Sequence, residues 1–404
     1  MDFTDTPEEA EYRNRARQWL AANAPQFELD GIGPDSEEAF ERGAGWQARK
    51  AAAGYACITW SKEWGGPGGT PLEHVIFSQE EAAFDLPRNP FIVGLGMCVP
   101  TVIAYGDDAA RQRFVGPALR GEELWCQLFS EPAAGSDLAG IRTRAVRDGG
   151  QWVITGQKVW TSMAHRADFG LLLTRTDPDV PKHKGLTMFW IDMRAAGVEA
   201  RPIVQLSGRT EFNEVFLTDV VVSDSQRLGE IGGGWKVALT TLMNERLAVG
   251  MVRGPELAEL IAFARSIPSD YGTVLDDPDF RRRLADWHVE AEGIKFTRFR
   301  TMTALSRGQA PGPEASIGKI VSTNRVQDLA RYMLEMQNQF GVVSGSDGWG
   351  DGIAQHELLS APGSRIAGGP DEILKNIIAE RVLGMPGDIR VDKDVPFSAI
   401  PTGR

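Results

Sequence analysis

The spacing of apolar positions changes twice along the chain. Thr6-Pro7-Glu8-Glu9 has the marks of a helix start: a capping hydroxyl, proline at the first helical position and acids at the positive end of the dipole. Tyr12, Ala16, Trp19 and Leu20 then fall on one face, and residues 1–122 read as helical. Between 123 and 229 the apolar stretches shorten to strand length, at Leu124–Phe129, Trp152–Trp160, Leu171–Thr174, Leu186–Ile191 and Val215–Val222. Alternation over Gln151–Thr155, behind Asp148-Gly149-Gly150, predicts a hairpin. Helical spacing returns from residue 230. Gly232-Gly233-Gly234 predicts a flexible lead-in, and Trp235 opens a helix that runs to about Ser266. Asp270–Asp279 reads as a loop, Phe280–Arg307 and Ala315–Phe340 as helices around a break at Gly308–Pro313. Residues 341–370 predict irregular chain, and Asp371 caps a last helix, Glu372–Leu383. Helices, then strands, then helices argue an α+β fold and not a βαβ repeat, with domains at 1–122, 123–229 and 230–404.

Two places in this pattern carry candidate chemistry. In Ser130–Asp137 the residues Pro132, Ala133, Ala134 and Gly135 leave a backbone with little bulk, which lets main-chain N–H groups approach a flat or charged ligand. Ser130, Ser136, Thr161 and Ser162 add hydroxyls, and Trp160 adds an aromatic wall. Further on, Trp235, Ala238, Leu239, Leu242, Glu245 and Val249 share a helix face, so Glu245 points to the interior or a cleft. Burial disfavours its charged form and makes it a stronger base, as proton abstraction requires. From periodicity alone, an ion pair with Arg246 or Arg253 fits as well. The glycine-rich stretch Ile58–Gly68 lacks the Lys-Ser/Thr ending of a phosphate-binding P-loop and reads as a structural connection.

The chain has 404 residues and a net charge of −12, which disfavours nucleic acid and anionic membranes as partners. Three separated cysteines, Cys57, Cys98 and Cys126, fit buried thiols in a reducing compartment and neither a disulfide framework nor a zinc site. No apolar run reaches membrane-spanning length, and the start is acidic, so a cytoplasmic location is expected.

Ser-Glu-Pro-Ala-Ala-Gly-Ser-Asp-Leu-Ala at 130–139 and Gly-Gln-Lys-Val-Trp-Thr-Ser at 156–162 resemble the flavin-binding middle domain of the acyl-CoA dehydrogenases. The resemblance implies that family's fold: an N-terminal helical domain, a middle β domain and a C-terminal four-helix bundle. It implies FAD, with Gln127, Leu128, Phe129 and Ser130 on the pyrimidine edge, Trp160 against the ring, Ser162 near N5, and Thr161 among the cofactor-binding residues. Ser136 and Arg246 match positions that contact CoA. Gln337–Gly341 matches a stretch that touches a neighbouring subunit's FAD, although locally it reads equally well as a helix C-terminus stopped by glycine. Most straight-chain relatives keep the catalytic glutamate in a loop E-G-T motif, where this chain has Gly368-Gly369-Pro370. Glu245-Arg246 instead matches the helix-borne pair of the isovaleryl-CoA and long-chain type. The resemblance therefore implies α,β-dehydrogenation of an acyl-CoA, with Glu245 as base and the Gly368 N–H as a donor to the thioester oxygen.

Three departures accompany this likeness. The R-x-x-F-G arginine is lost in Arg265–Gly272, the loop threonine is Pro370, and the glycine pair of Q-x-x-G-G is incomplete, with Phe340 in place of one glycine. Similar losses occur in bacterial dehydrogenases of steroid side-chain CoA esters, some of them α2β2 tetramers. The expected partners are an acyl-CoA, an electron-transfer flavoprotein, and further subunits as a homotetramer, a dimer of dimers or an α2β2 assembly. A half-site subunit of a heteromeric dehydrogenase and a flavin oxidase or monooxygenase are the alternatives.

Overall fold

The computed structural model describes residues 5–33, 36–248, 257–306, 312, 315–387, 389 and 392–401. They divide into two compact units: one comprises the chain up to 203, residues 210–248 and the tail from 390, and the other comprises 204–209 and 249–389.

The first unit opens with five helices: α1 (Pro7–Asn23), α2 (Glu37–Ala53), α3 (Pro71–Glu81), α4 (Val99–Tyr105) and α5 (Asp108–Leu119). Thr6 caps α1 as its sequence predicts. Its hydroxyl accepts from the Glu9 N–H at 3.3 Å, and Glu9 Oε2 accepts from the Thr6 N–H at 2.8 Å. Ala16 and Leu20 are buried, with Tyr12 and Trp19 packed against the same cluster. The Ile58–Gly68 stretch is a packed connection, in which a Cβ on Gly66 would lie 2.4 Å from the Trp60 carbonyl oxygen.

Eight strands follow: β1 (Trp125–Leu128), β2 (Arg144–Asp148), β3 (Gln151–Ser162), β4 (Phe169–Arg175), β5 (Leu186–Asp192), β6 (Val198–Pro202), β7 (Phe212–Ser223) and β8 (Arg227–Leu228). They form one sheet in the order β6-β7-β3-β2-β4-β5-β8, with β1 parallel to β4. The predicted hairpin is present: Asp148 pairs with Gln151, and Gly149 takes φ +59°. Side chains alternate between faces. Leu171 and Leu173 of β4 join a core shared with α4, α5 and the next helix, while Leu172 joins a second core with Ile154, Phe189 and Val215.

The next helix, α6 (Gly234–Ala248), belongs to this first unit. Its glycine lead-in is pinned, not flexible. Gly232 donates its N–H to Thr187 Oγ1 at 3.1 Å, and a Cβ on Gly234 would lie 2.6 Å from the Thr187 nitrogen. Glycine is needed there because helix and strand backbones nearly touch. The inward face of α6 is Val237, Ala238 and Thr241, all buried, with Leu242 half-buried. Leu239, expected in that stripe, is 44% exposed, since it sits one residue off the buried face. Val249 and Arg253 lie outside the described residues.

The second unit holds α7 (Leu257–Ser266), α8 (Pro278–Ser306), α9 (Ala315–Met336), α10 (Ile353–Ile366) and α11 (Asp371–Ile377), built on a core that includes Leu260, Phe280, Trp287, Leu329 and Met333. Two elements correct the sequence reading. Residues 353–366, expected to be irregular, form α10, which tolerates Pro362 and Gly363 inside it. Pro370, not Asp371, occupies the cap of α11, because the Asp371 carboxylate is turned inward onto Arg365.

Candidate functional site

The end of β1 and the second half of β3 are brought together, and the contact is built on a buried ion pair. Lys158 is fully buried and donates to the Phe129 carbonyl at 3.0 Å and to Glu131 Oε1 at 2.8 Å. Glu131, 7% exposed, also accepts the backbone N–H groups of Arg142 at 2.6 Å and Thr143 at 2.9 Å. The Val159 N–H donates to the Ser130 carbonyl at 2.9 Å. Burial pushes the Lys158 ammonium down, and Glu131 pulls partly against it. Burial alone would raise Glu131, but Lys158 and the donors outweigh it and hold the carboxyl below its usual range. The pair fixes Phe129 and Ser130 against β3. Neither partner was picked out in the sequence, where 27 residues separate them.

Trp160 is the outlying side chain of this strand. It has φ +60° at a shift in the β3–β7 register and is 58% exposed, with the Phe212 ring edge-on to it at 6.0 Å. A bulky residue held in the left-handed region costs on the order of 1–3 kcal/mol and is found where surrounding structure over-determines it. Here the support comes from Asn213, fully buried, whose Nδ2 donates to the Thr161 carbonyl at 2.9 Å and whose Oδ1 meets His165 Nδ1 at 2.9 Å. Ser130 and Ser162 are half-buried, and Gln127 is half-buried between buried Cys126 and Leu128. The Thr161 hydroxyl is buried without a hydrogen-bond partner among the described residues.

The small-residue turn runs on from there. Ser136 is exposed, and a Cβ on Gly135 would meet nothing within 4 Å. Its far side is anchored by Lys182, which donates to both Asp137 oxygens at 2.9 Å and to Asp392 Oδ2 at 2.5 Å. Arg175 donates to the carbonyls of Ala139 and Ile141 at 2.5 and 3.0 Å under the ring of Phe397. The turn is thus open toward solvent on one side and braced on the other.

Glu245 lies on the last turns of α6 and is half-buried. The helix is fixed on α4 by two hydroxyl contacts, Thr241 Oγ1 to Thr101 Oγ1 and Thr240 Oγ1 to Tyr105 OH, both 2.9 Å. It also packs on a π-helical turn, Gly94–Cys98, that precedes α4 and was not foreseen. Cys98 Sγ sits 3.5 Å from the Cys126 carbonyl, which is next to Gln127. Burial, then Cys126, then the Glu245 charge hold the Cys98 thiol well above its ordinary value, so Glu245 lies close to this turn. Arg246 is in α6, but its side chain lies outside the described residues.

The remaining candidates are in the second unit. Gly368 is exposed with φ +67°. Gln337 is 2% exposed, donates to the Met333 carbonyl at 3.2 Å and accepts from Gln355 Nε2 at 3.3 Å. Gln355 Nε2 also reaches the Gly341 carbonyl at 3.0 Å, tying the turn after α9 to α10.

An exposed indole on a paired strand, beside half-buried serine hydroxyls, fits a flat heteroaromatic group with a polar rim. The comparisons agree with that chemistry. The chain matches the acyl-CoA dehydrogenase N-terminal domain over residues 6–122, the middle domain over 126–220 and the C-terminal domain over 232–383. It is 38% identical to the acyl-CoA dehydrogenase IpdE1 of Mycobacterium tuberculosis over 392 residues, covering 94% of this chain and 98% of that protein. It is 40% identical to the acyl-CoA dehydrogenase FadE34 of the same organism over 323 residues, 80% of this chain but only 43% of FadE34. The structure described as the Tcur3481-Tcur3483 steroid ACAD superposes with a TM-score of 0.81 at 28% identity, over 96% of this chain and 100% of that one. The ChsE4-ChsE5 complex from Mycobacterium tuberculosis gives 0.79 at 27%, over 96% and 100%. The chain therefore belongs to the acyl-CoA dehydrogenase family, oxidoreductases that act on the CH–CH group with FAD as cofactor. No helix among the described residues is long and apolar enough to cross a membrane.

Proposed function

We propose that this chain oxidises the Cα–Cβ bond of an acyl-CoA thioester to the trans-2-enoyl-CoA, with Glu245 removing the α-proton. The observation that carries the reading is the combination of glycine at 368, the usual place of the loop glutamate, with a glutamate on the firmly seated helix α6. Glu245 is half-buried on a helix that Thr241 fixes one turn earlier, which suits the placement of a base. FAD, when bound, supplies the two-electron acceptor, taking the β-hydrogen as hydride at N5. Gln127, Leu128, Phe129 and Ser130 would hold its pyrimidine edge, with Trp160 against the ring, Ser162 near N5 and Thr161 beside them in the cofactor-binding set. Ser136 and Arg246 are assigned to the CoA moiety. The Gly368 N–H donates to the thioester oxygen as it gains charge, and the absence of a side chain beside it leaves room for a branched or bulky acyl group.

The same reading keeps the three domains at 1–122, 123–229 and 230–404. It assigns Gln337 and Gly341 to a neighbouring subunit's FAD through main-chain groups, since the Gln337 side chain is engaged within its own unit. It also takes an electron-transfer flavoprotein as acceptor, a cytoplasmic location, and a steroid side-chain or fatty acyl-CoA as substrate. The steroid wording attached to the structural neighbour at 28% identity supports that choice. An α2β2 assembly with a related chain is favoured by the ChsE4-ChsE5 neighbour being a complex of two chains. A screen of straight, branched, aromatic and steroid CoA esters with an artificial electron acceptor tests the reading, using protein purified alone and with candidate partner chains. Turnover of an ester by the single chain supports the complete enzyme. Flavin absorbance and turnover that appear only with a partner chain support the half-site subunit.

A further inference from the structure

The second unit builds its glycine loop from both ends. The Ala367 N–H donates to the Gly363 carbonyl of α10 at 2.9 Å, which fixes the peptide before the loop. Beyond it, Lys319 of α9 donates Nζ to the Gly369 carbonyl at 2.7 Å, which fixes the peptide after Gly369. Pro370 follows, with a fixed φ and no N–H. Asp371 then turns its carboxylate inward: Oδ2 accepts from Arg365 Nε at 2.9 Å, Arg365 Nη2 at 2.6 Å and Asn324 at 3.2 Å. Arg365 Nη1 continues to Gln327 at 2.9 Å. Between these anchors Gly368 and Gly369 take φ +67° and +96°, conformations that only glycine adopts without strain. The Gly368 N–H has no acceptor among the described residues, and the residue is exposed. The charged groups that anchor the loop are Lys319, on the Gly369 carbonyl, and the Arg365–Asp371 pair. Burial of Lys319 lowers its ammonium, with Asp371 opposing, so this cation is close enough to the anchor carboxylate to feel it.

We propose that Lys319 and the Arg365–Asp371 pair are positioning residues that hold the Gly368 N–H toward an oxygen acquiring negative charge. This rests on the donor role given to that N–H above. An unanchored di-glycine loop would spend its time in many conformations, and the donor would have to be reorganised as charge develops. With both flanking peptides fixed, the donor is in place beforehand.

The experiment follows the enolate of bound 3-oxobutanoyl-CoA, a ligand that places stable negative charge on its oxygens. Its ultraviolet absorbance is titrated with pH on the FAD-loaded protein as wild type, Lys319→Met, Lys319→Arg and Asp371→Asn. Affinity for the keto form at low pH, flavin absorbance and melting temperature are recorded alongside. Wild type is expected to form the enolate at lower pH than the free ligand. Lys319→Met should raise that midpoint by about one pH unit, a tenfold loss of enolate stabilisation. Keto-form affinity should stay the same, and Lys319→Arg should restore most of the shift. A wild-type midpoint in both Lys319→Met and Asp371→Asn overturns the positioning role. A wild-type protein that does not lower the midpoint at all overturns the donor role of Gly368 itself.

Discussion

The hydroxyls of Thr101 and Thr241 meet at 2.9 Å with both residues fully buried. Each hydroxyl also lies within donating distance of the carbonyl one turn back, Thr101 of Met97 at 2.8 Å and Thr241 of Val237 at 3.1 Å, so one hydroxyl donates across the contact while the other donates to its carbonyl. The contact locks α6 to α4 one turn before Glu245, so the part of the helix that carries this residue is held by buried hydroxyls. Gly234 serves the same end at the other end of α6, where it allows the helix to start against the backbone of β5.

Replacing Gly234 by alanine is therefore expected to push α6 away from Thr187 at a cost of about 1–3 kcal/mol. Gly150→Ala is the control, since a Cβ there meets nothing within 4 Å and its φ is not positive. Thermal or urea unfolding should separate the two, with a clear loss in the first and little change in the second.

The Lys158–Glu131 pair should behave as a buried unit. Lys158→Met leaves a carboxylate that is 7% exposed without its cation, which is expected to cost roughly 3–5 kcal/mol. The double variant Lys158→Met with Glu131→Leu should recover much of that loss. A double-mutant cycle by denaturant unfolding reads the coupling, and near-additive losses would show that the two groups act independently.

Trp160 contributes little to the fold, being 58% exposed, and is expected to matter for FAD. Trp160→Ala should lower the ratio of flavin to protein absorbance after purification, while the melting temperature of the FAD-free protein hardly changes. Full flavin retention would remove Trp160 from the cofactor site.

A pH effect follows from Asp224, held down to about 2 by Arg227 and by the Trp152 indole N–H at 2.8 Å. Its carboxyl is depressed on folding, so the stability it adds is present above the ordinary value of 3.8 and is lost as pH falls toward 2. Because the group is partly solvated, the effect is about 1 kcal/mol or less. Unfolding measured between pH 5 and 2 should fall less steeply in Asp224→Asn than in wild type, and parallel curves would argue against the interaction.

Local signals were legible in the sequence where one short segment decides the outcome. The Thr6 cap, the Gly149-Gly150 hairpin and the strands around Ser130 and Trp160 are of this kind. What the sequence hid depends on distant partners. Lys158 and Glu131 look like ordinary surface charges until the β1–β3 contact buries them. Residues 341–370 read as irregular, yet α10 forms within them, with its Gln355 and Arg365 tied to the α9 side of the unit. Gly232–Gly234 read as slack because nothing local announces how close β5 comes.

The central claim is that Glu245 is the base. It is tested most directly by Glu245→Gln, loaded with FAD and mixed without oxygen with the acyl-CoA that the wild type turns over best. Bleaching of the flavin band is the readout, with wild type beside it. The glutamine keeps the size of the side chain but not the proton acceptor, so flavin reduction should slow by on the order of 10³-fold or more, with FAD content and melting temperature preserved. Reduction at the wild-type rate would contradict the assignment and place the base elsewhere.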